Sequence, residues 1–148
     1  MDVTASLDAP CSPSALFALV EALDEYPAWM PLTHQVDSDG SDEGRLAWKV
    51  ELRARLGPFA RSKRLRMVRT VHDRAGHHVR FERVERDGRE HSPWVLDAVV
   101  VPVDAGCRLE MHLHYGGALW TGGVMERVLG EQIVAGRAQL LAMANASD

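Results

Sequence analysis

Two arginines of this 148-residue chain occupy positions where a charge needs a purpose. Arg69 shares the parity of Leu65 and Met67, and Arg83 that of Val79 and Phe81, so each places a guanidinium in the apolar phase of a strand. Burying such a charge unpaired is costly. Its planar donors suit a carboxylate, phenolate or enolate, which they can hold through two parallel hydrogen bonds. Both residues also fall near strand ends, where a long side chain reaches water. A bulge would exchange the parity of Arg69, since Val68 and Thr70 form an equally good inner set.

His112 and His114 form an HxH pair with Glu110 in register. Histidines at i and i+2 of a strand can share a metal. Here Leu109, Met111, Leu113 and Tyr115 hold the apolar phase, which sets the pair on the wet face. No third ligand stands out, and no metal or other cofactor is expected. Asp97 interrupts an otherwise apolar run, Val95 to Val101, and reads either as a buried base with a raised pKa or as a structural carboxylate partnered by an arginine on the next strand. His77-His78 sits beside a turn, and His34 follows a proline corner where it could line an opening. Tyr26, Trp29, Tyr115 and Trp120 read as rim, pocket or core aromatics. The chain has no Ser-His-Asp spacing, GxSxG, P-loop or GxGxxG.

The elements that position these residues are legible from periodicity. Leu46, Trp48, Val50, Leu52, Ala54 and Leu56 alternate with Lys49, Glu51, Arg53 and Arg55, a long strand with one buried face. Gly57-Pro58 ends it. Further strands are expected over 59–72, 77–85, 90–103 and 107–115, joined by turns at Asp73–Gly76, Asp87-Gly88 and Asp104–Gly106. Short connections without helices require antiparallel neighbours. At the N-terminus Val3, Ala5 and Leu7 alternate, Ser12 offers an N-cap and Pro13 a first helical residue. The apolar spacing through Leu23 predicts a helix running to Tyr26-Pro27. After the pairs Gly116-Gly117 and Gly122-Gly123, a hinge, the period becomes 3.6. Met125, Val128, Leu129, Gln132, Ile133, Gly136, Leu140 and Met143 form one stripe of a helix over about 122–146. Gly130 and Gly136 within it either leave room for a ligand or permit close packing.

Composition places the chain among soluble globular proteins: 46% hydrophobic, 26% charged, net charge −4. Residues 1–148 read as a single domain. No apolar run matches a membrane span, Asp2 stands where a signal peptide is positive, and a cytoplasmic location is expected. Cys11 and Cys107 show neither disulfide nor metal spacing. Between Arg45 and Arg69 the bases outnumber a single acid, Glu51. That basic face is a solvated sheet surface or a docking site for an anionic membrane or acidic partner. It carries no run of aromatic residues alternating with its bases, so nucleic acid is not expected.

Asp8-Ala9-Pro10, the corner Asp24-Glu25-Tyr26-Pro27-Ala28-Trp29-Met30-Pro31, Leu56-Gly57-Pro58-Phe59 and Gly106-Cys107-Arg108-Leu109 give the chain its family likeness. In order and spacing it resembles the START-like, Bet v 1-like superfamily (SRPBCC), in the branch of bacterial polyketide cyclases/dehydrases and carbon monoxide dehydrogenase accessory subunits. The resemblance covers essentially the whole chain. It implies an α+β helix-grip fold: a curved antiparallel sheet wrapped around a long C-terminal helix, with short N-terminal helices closing one end. It also implies non-covalent binding of a hydrophobic or amphipathic small molecule, such as a lipid or polyketide, between sheet and helix. A cyclase/dehydrase-type enzyme, with Arg69, Arg83 or Tyr115 polarising a carbonyl, and a membrane- or protein-docking accessory are the alternatives. The aliphatic strand faces, with Trp48 the one aromatic of the best-defined strand, depart from an aromatic-rich cyclase pocket.

On this reading Trp48, Val50, Leu52, Met67, Phe81, Met111, Leu113, Met125, Leu129 and Ile133 face a common interior, since they share the apolar phases of sheet and helix. Arg69, Arg83, Tyr115 and Gly136 complete the expected ligand-contacting set.

Overall fold

The computed structural model describes residues 1–56, 58–116 and 124–147. β1 (Asp2–Ala9) leads into α1 (Pro13–Phe17) and a 3-10 helix (Leu23–Ala28). β2 (Thr33–Asp42), β3 (Arg45–Leu56), β4 (Phe59–Asp73), β5 (His78–Arg83), β6 (Trp94–Val103) and β7 (Gly106–Tyr115) follow, and α2 (Val124–Ser147) comes last. The strands form one seven-stranded antiparallel sheet in the order β1-β7-β6-β5-β4-β3-β2.

Register aligns the apolar phases of neighbouring strands. Trp48 lies opposite Met67, Val50 opposite Leu65, Phe81 opposite Leu96, and Leu96 opposite Leu113. These side chains share one face of the sheet, and α2 covers it with Val128, Leu129, Ile133 and Leu140. The alternation in β3 places Trp48, Val50, Leu52 and Ala54 inside as expected, while Leu46 is exposed at the strand's start.

Three elements differ from the sequence reading. The first helix ends at Phe17 rather than Tyr26. Ser12 caps it as expected, its hydroxyl accepting from the Ala15 N–H at 3.2 Å. Beyond it, consecutive carbonyls accept side-chain donors instead of continuing a helical ladder. Leu19 O takes the Trp29 indole N–H (3.2 Å), Val20 O the Tyr26 hydroxyl (2.9 Å) and Glu21 O the Arg69 guanidinium (2.8 Å). The apolar spacing of Leu19, Val20 and Leu23 thus serves a folded-back corner. Second, β2 has no counterpart in the sequence reading; it is a polar edge strand in which Val36 is the one hydrophobic residue. Third, β6 begins at Trp94, and Asp87-Gly88 lies within a longer connection over 84–93 rather than a two-residue hairpin turn.

A candidate ligand-binding interior

The inner sheet face and α2 bring together most of the expected set. Trp48, Val50, Leu52, Met67, Phe81, Met111, Leu113, Tyr115, Leu129 and Ile133 are all buried in one cluster. The side chain of Met125 lies outside the described residues, as do Trp120 and the glycines 117, 122 and 123.

The two ends of this interior differ in chemistry. At one end, aromatic rings interlock. Trp48 meets Phe81 edge-on (5.6 Å between centroids), Phe81 meets Tyr26 edge-on (6.1 Å), and Tyr26 packs on Trp29 (5.0 Å). Tyr26 and Trp29 are therefore core residues, and burial pushes the Tyr26 hydroxyl pKa far up. Arg69 occupies the inner face, opposite Phe81, with the bulge just after it, between Arg69 and Val71. Its guanidinium lies 5.8 Å from the Trp48 ring centroid while it donates to Glu21 O. Arg69 thus fastens the folded-back corner to the sheet.

Gly136 belongs to this filled end. A Cβ there would overlap the carbonyl oxygen of Trp29, so the protein's own backbone fills the space beside it. Of the two readings of this glycine, the structure contains close packing. Gly130 faces open space on the exposed side of α2.

At the other end the inner face carries cations. Arg83 lies opposite Met67, its side chain only 9% exposed. Its Nε donates to Glu85 at 2.6 Å, and its terminal nitrogens reach the Ser92 carbonyl (3.3 Å) and the His91 ring (3.3 Å). Lys63, opposite Leu52, extends its ammonium to 5.9 Å from the Trp94 ring, and Trp94 packs against Tyr115 at 5.3 Å. Burial and the neighbouring Arg83 charge hold the Lys63 pKa below the usual lysine value, with Glu85 opposing. Tyr115 donates its hydroxyl to the Met1 sulfur at 2.8 Å. Lys63 was not among the expected site residues. Its parity with Leu65 was legible, but at a strand start it reads as solvated.

The outer face holds the remaining chemistry-bearing residues. His112 and His114 both contact Asp2 Oδ1, at 2.8 and 3.1 Å, and their hydrogen bonds keep the Asp2 carboxyl below its ordinary range. Asp97 is the structural carboxylate of the two readings. Burial works to raise its pKa, but hydrogen bonds from His78 (2.7 Å) and from Arg80 on adjacent β5 (2.9 Å) outweigh burial and lower it. A carboxyl so held is a poor general base near neutral pH. His34 is exposed, 3.9 Å from Glu51.

The sequence reading counted Arg66 with the basic outer face, as solvated surface or docking site. It is buried on the outer face, donating to Asp39 (2.8 Å), Asp42 (3.0 Å) and Val84 O (3.0 Å). An open cleft of about 720 Å³ beside it is lined by charges of both signs, among them Lys49, Glu51, Arg64 and Asp87. Cys11 and Cys107 are buried with their sulfurs 3.8 Å apart. No helix among the described residues is long and apolar enough to cross a membrane.

A curved antiparallel sheet gripping one long C-terminal helix is the helix-grip fold of START-like and Bet v 1-like proteins. The chain belongs to the polyketide cyclase/dehydrase and lipid transport family, whose match spans residues 1–145. Comparison with curated protein sequences returns no match. Among solved structures, TTHA0849 from Thermus thermophilus superposes with a TM-score of 0.76 at 16% identity, covering 100% of this chain and 99% of that one. A START superfamily protein from Mycobacterium smegmatis gives 0.69 at 14% identity over 98% and 97% of the two chains. The ZhuI aromatase/cyclase from Streptomyces sp. R1128 gives 0.65 at 13% identity over 98% and 93%. At these identities the likeness is one of fold.

Proposed function

We propose that this protein binds a hydrophobic or amphipathic small molecule non-covalently between sheet and α2, with an anionic head turned toward Lys63 and Arg83. The observation that carries this reading is the pair of cations, Lys63 and Arg83, at the end of the inner face away from Arg69, with Glu85 bonded to Arg83 as the one carboxylate ion-paired with either among the described residues. An apolar body would gain by leaving water, at about 25 cal/mol per Å² of surface removed. A carboxylate, phosphate or enolate head would meet charge-assisted donors in a poorly solvated setting. The lipid- and polyketide-handling description of the family supports the same ligand classes.

A dansyl-labelled fatty acid and its methyl ester provide the test. Both are expected to bind the wild-type protein, the acid more tightly. Arg83→Gln should weaken the acid about tenfold or more, as loss of a hydrogen bond to a charged group does, and leave the ester unchanged. Equal loss of both, or of neither, would refute the head-group assignment. Absence of binding by either probe would refute the ligand reading itself.

A second reading, a cyclase/dehydrase-type reaction, is favoured by the lowered Lys63 pKa beside Arg83. In that case Lys63 would accept a proton from a carbon next to a carbonyl, and Arg83 would stabilise the enolate oxygen. Here Lys63, as the neutral amine, and Arg83 would act on a bound ligand rather than only hold it.

A further inference from the structure

The β3–β4 hairpin reaches beyond its neighbours in the sheet. Pairing between β3 and β4 runs on to Leu56 opposite Phe59. The ladder from β2 stops at Thr33 opposite Leu52, and that from β5 at Met67 opposite Arg83. Beyond the Arg53 N–H, which donates to Leu32 O at 2.9 Å, the last residues of β3 and the first of β4 therefore form a two-stranded ribbon, paired only with each other in the ladder. Apart from Ala54, its described side chains are exposed or half-buried, so its composition needs a reason other than the core.

That composition is cationic with an apolar tip. Between Leu52 and Leu65 there are five bases, Arg53, Arg55, Arg61, Lys63 and Arg64, and no acid. Among the described residues Arg53, Arg55 and Arg61 have no carboxylate partner, and Arg64 reaches Glu51 at 3.5 Å with its side chain 86% exposed. At the tip Phe59 is 70% exposed, next to exposed Pro58. Arg53, Arg55 and Arg64 lie on the outer phase, whereas Arg61 and Lys63 share the inner phase with Phe59.

We propose that this hairpin docks the protein onto anionic lipid bilayers. Phe59 enters the boundary between headgroups and acyl chains, and the arginines set back from it meet lipid phosphates. At about 3.3 Å per residue along a strand, Arg61 sits roughly 7 Å behind Phe59. That offset matches the roughly 5–10 Å by which interfacial apolar groups sink below the headgroups. Cations on both phases let the ribbon stand on its tip with phosphates on either side. Duplex nucleic acid fits less well: the single exposed aromatic ring of the ribbon lies ahead of the cations, where it would face phosphates. Docking is independent of what the interior holds, although Lys63 belongs to both regions.

Co-sedimentation with vesicles of phosphatidylcholine and phosphatidylserine, against phosphatidylcholine alone, tests this with the full chain. Wild-type protein is expected to bind the anionic vesicles at low salt and to be released as salt rises. Arg53→Gln and Arg55→Gln should each cut partitioning about fivefold. Phe59→Ser should weaken it further, and Arg108→Gln, remote from the ribbon, should not. Phe59→Trp should add a fluorescence component that shifts to the blue on anionic vesicles only, a readout independent of sedimentation. Unchanged partitioning in the Arg53/Arg55/Phe59 variants would overturn the proposal. So would an unshifted Phe59→Trp signal, or retention by duplex DNA without vesicle binding.

Discussion

Gly136 of α2 packs directly on the backbone carbonyl of Trp29, leaving no room for a side chain between the long helix and the corner that follows α1. The contact explains a glycine in the middle of a helix, where it costs about 1 kcal/mol relative to alanine. Gly130, six residues earlier, has no such neighbour. Alanine gains the same helix propensity at both sites, but only at 136 does steric overlap oppose it, at about 1–3 kcal/mol. Gly130→Ala should therefore raise the urea midpoint and Gly136→Ala lower it. A rise in both would show that the Trp29 contact does not form.

Tyr26→Phe isolates the corner's hydrogen bonding. The change keeps the ring that packs on Trp29 and Phe81 but leaves the Val20 carbonyl without its donor. Loss of a buried hydrogen bond of this kind costs about 1–2 kcal/mol. Chemical denaturation should show that loss with an unchanged slope, since the surface exposed on unfolding is the same. An unaltered midpoint would mean that the Val20 carbonyl has another partner in solution.

Asp97 makes stability depend on pH with a definite sign. Its pKa is depressed in the folded protein, because the His78 and Arg80 bonds outweigh burial. A carboxyl of this kind stabilises the fold above its unfolded pKa of about 4, and the contribution disappears as pH falls through the folded value. Asp97→Asn should therefore melt at a lower temperature than wild type near neutrality, and the gap should narrow on acidification below about pH 4. A gap that is constant, or widens toward low pH, would contradict the ion pair.

Strand parity was the legible part of this protein. In β3 the alternation of Trp48, Val50, Leu52 and Ala54 with charged residues permits only one face to be buried, because a register slip of a single residue would expose the whole set. The same reasoning located Met67, Phe81, Met111 and Leu113 on one face, and the 3.6-residue stripe of Val128, Leu129 and Ile133 opposite them. β2 was illegible for the converse reason. It is an edge strand, and its ladder hydrogen bonds to β3 come from backbone groups that any sequence carries.

What the chain determined by itself is thus the set of faces: which residues turn inward along each strand and helix, and where glycine, proline and capping residues break them. Tertiary structure decided the partners across those faces. Arg69 and Arg83 share the inner phase, yet one is fastened to Glu21 O over Trp48 and the other stands with Lys63 at the cationic end. Arg66 shares the outer phase with Arg64, yet it alone is buried, because Asp39 and Asp42 on β2 close over it. The helical spacing after Pro13 gave way because Tyr26, Trp29 and Arg69 offer donors to its carbonyls. Periodicity along a chain records burial. Which donor meets which acceptor is set by segments far apart in sequence, and a linear pattern carries no information about that encounter.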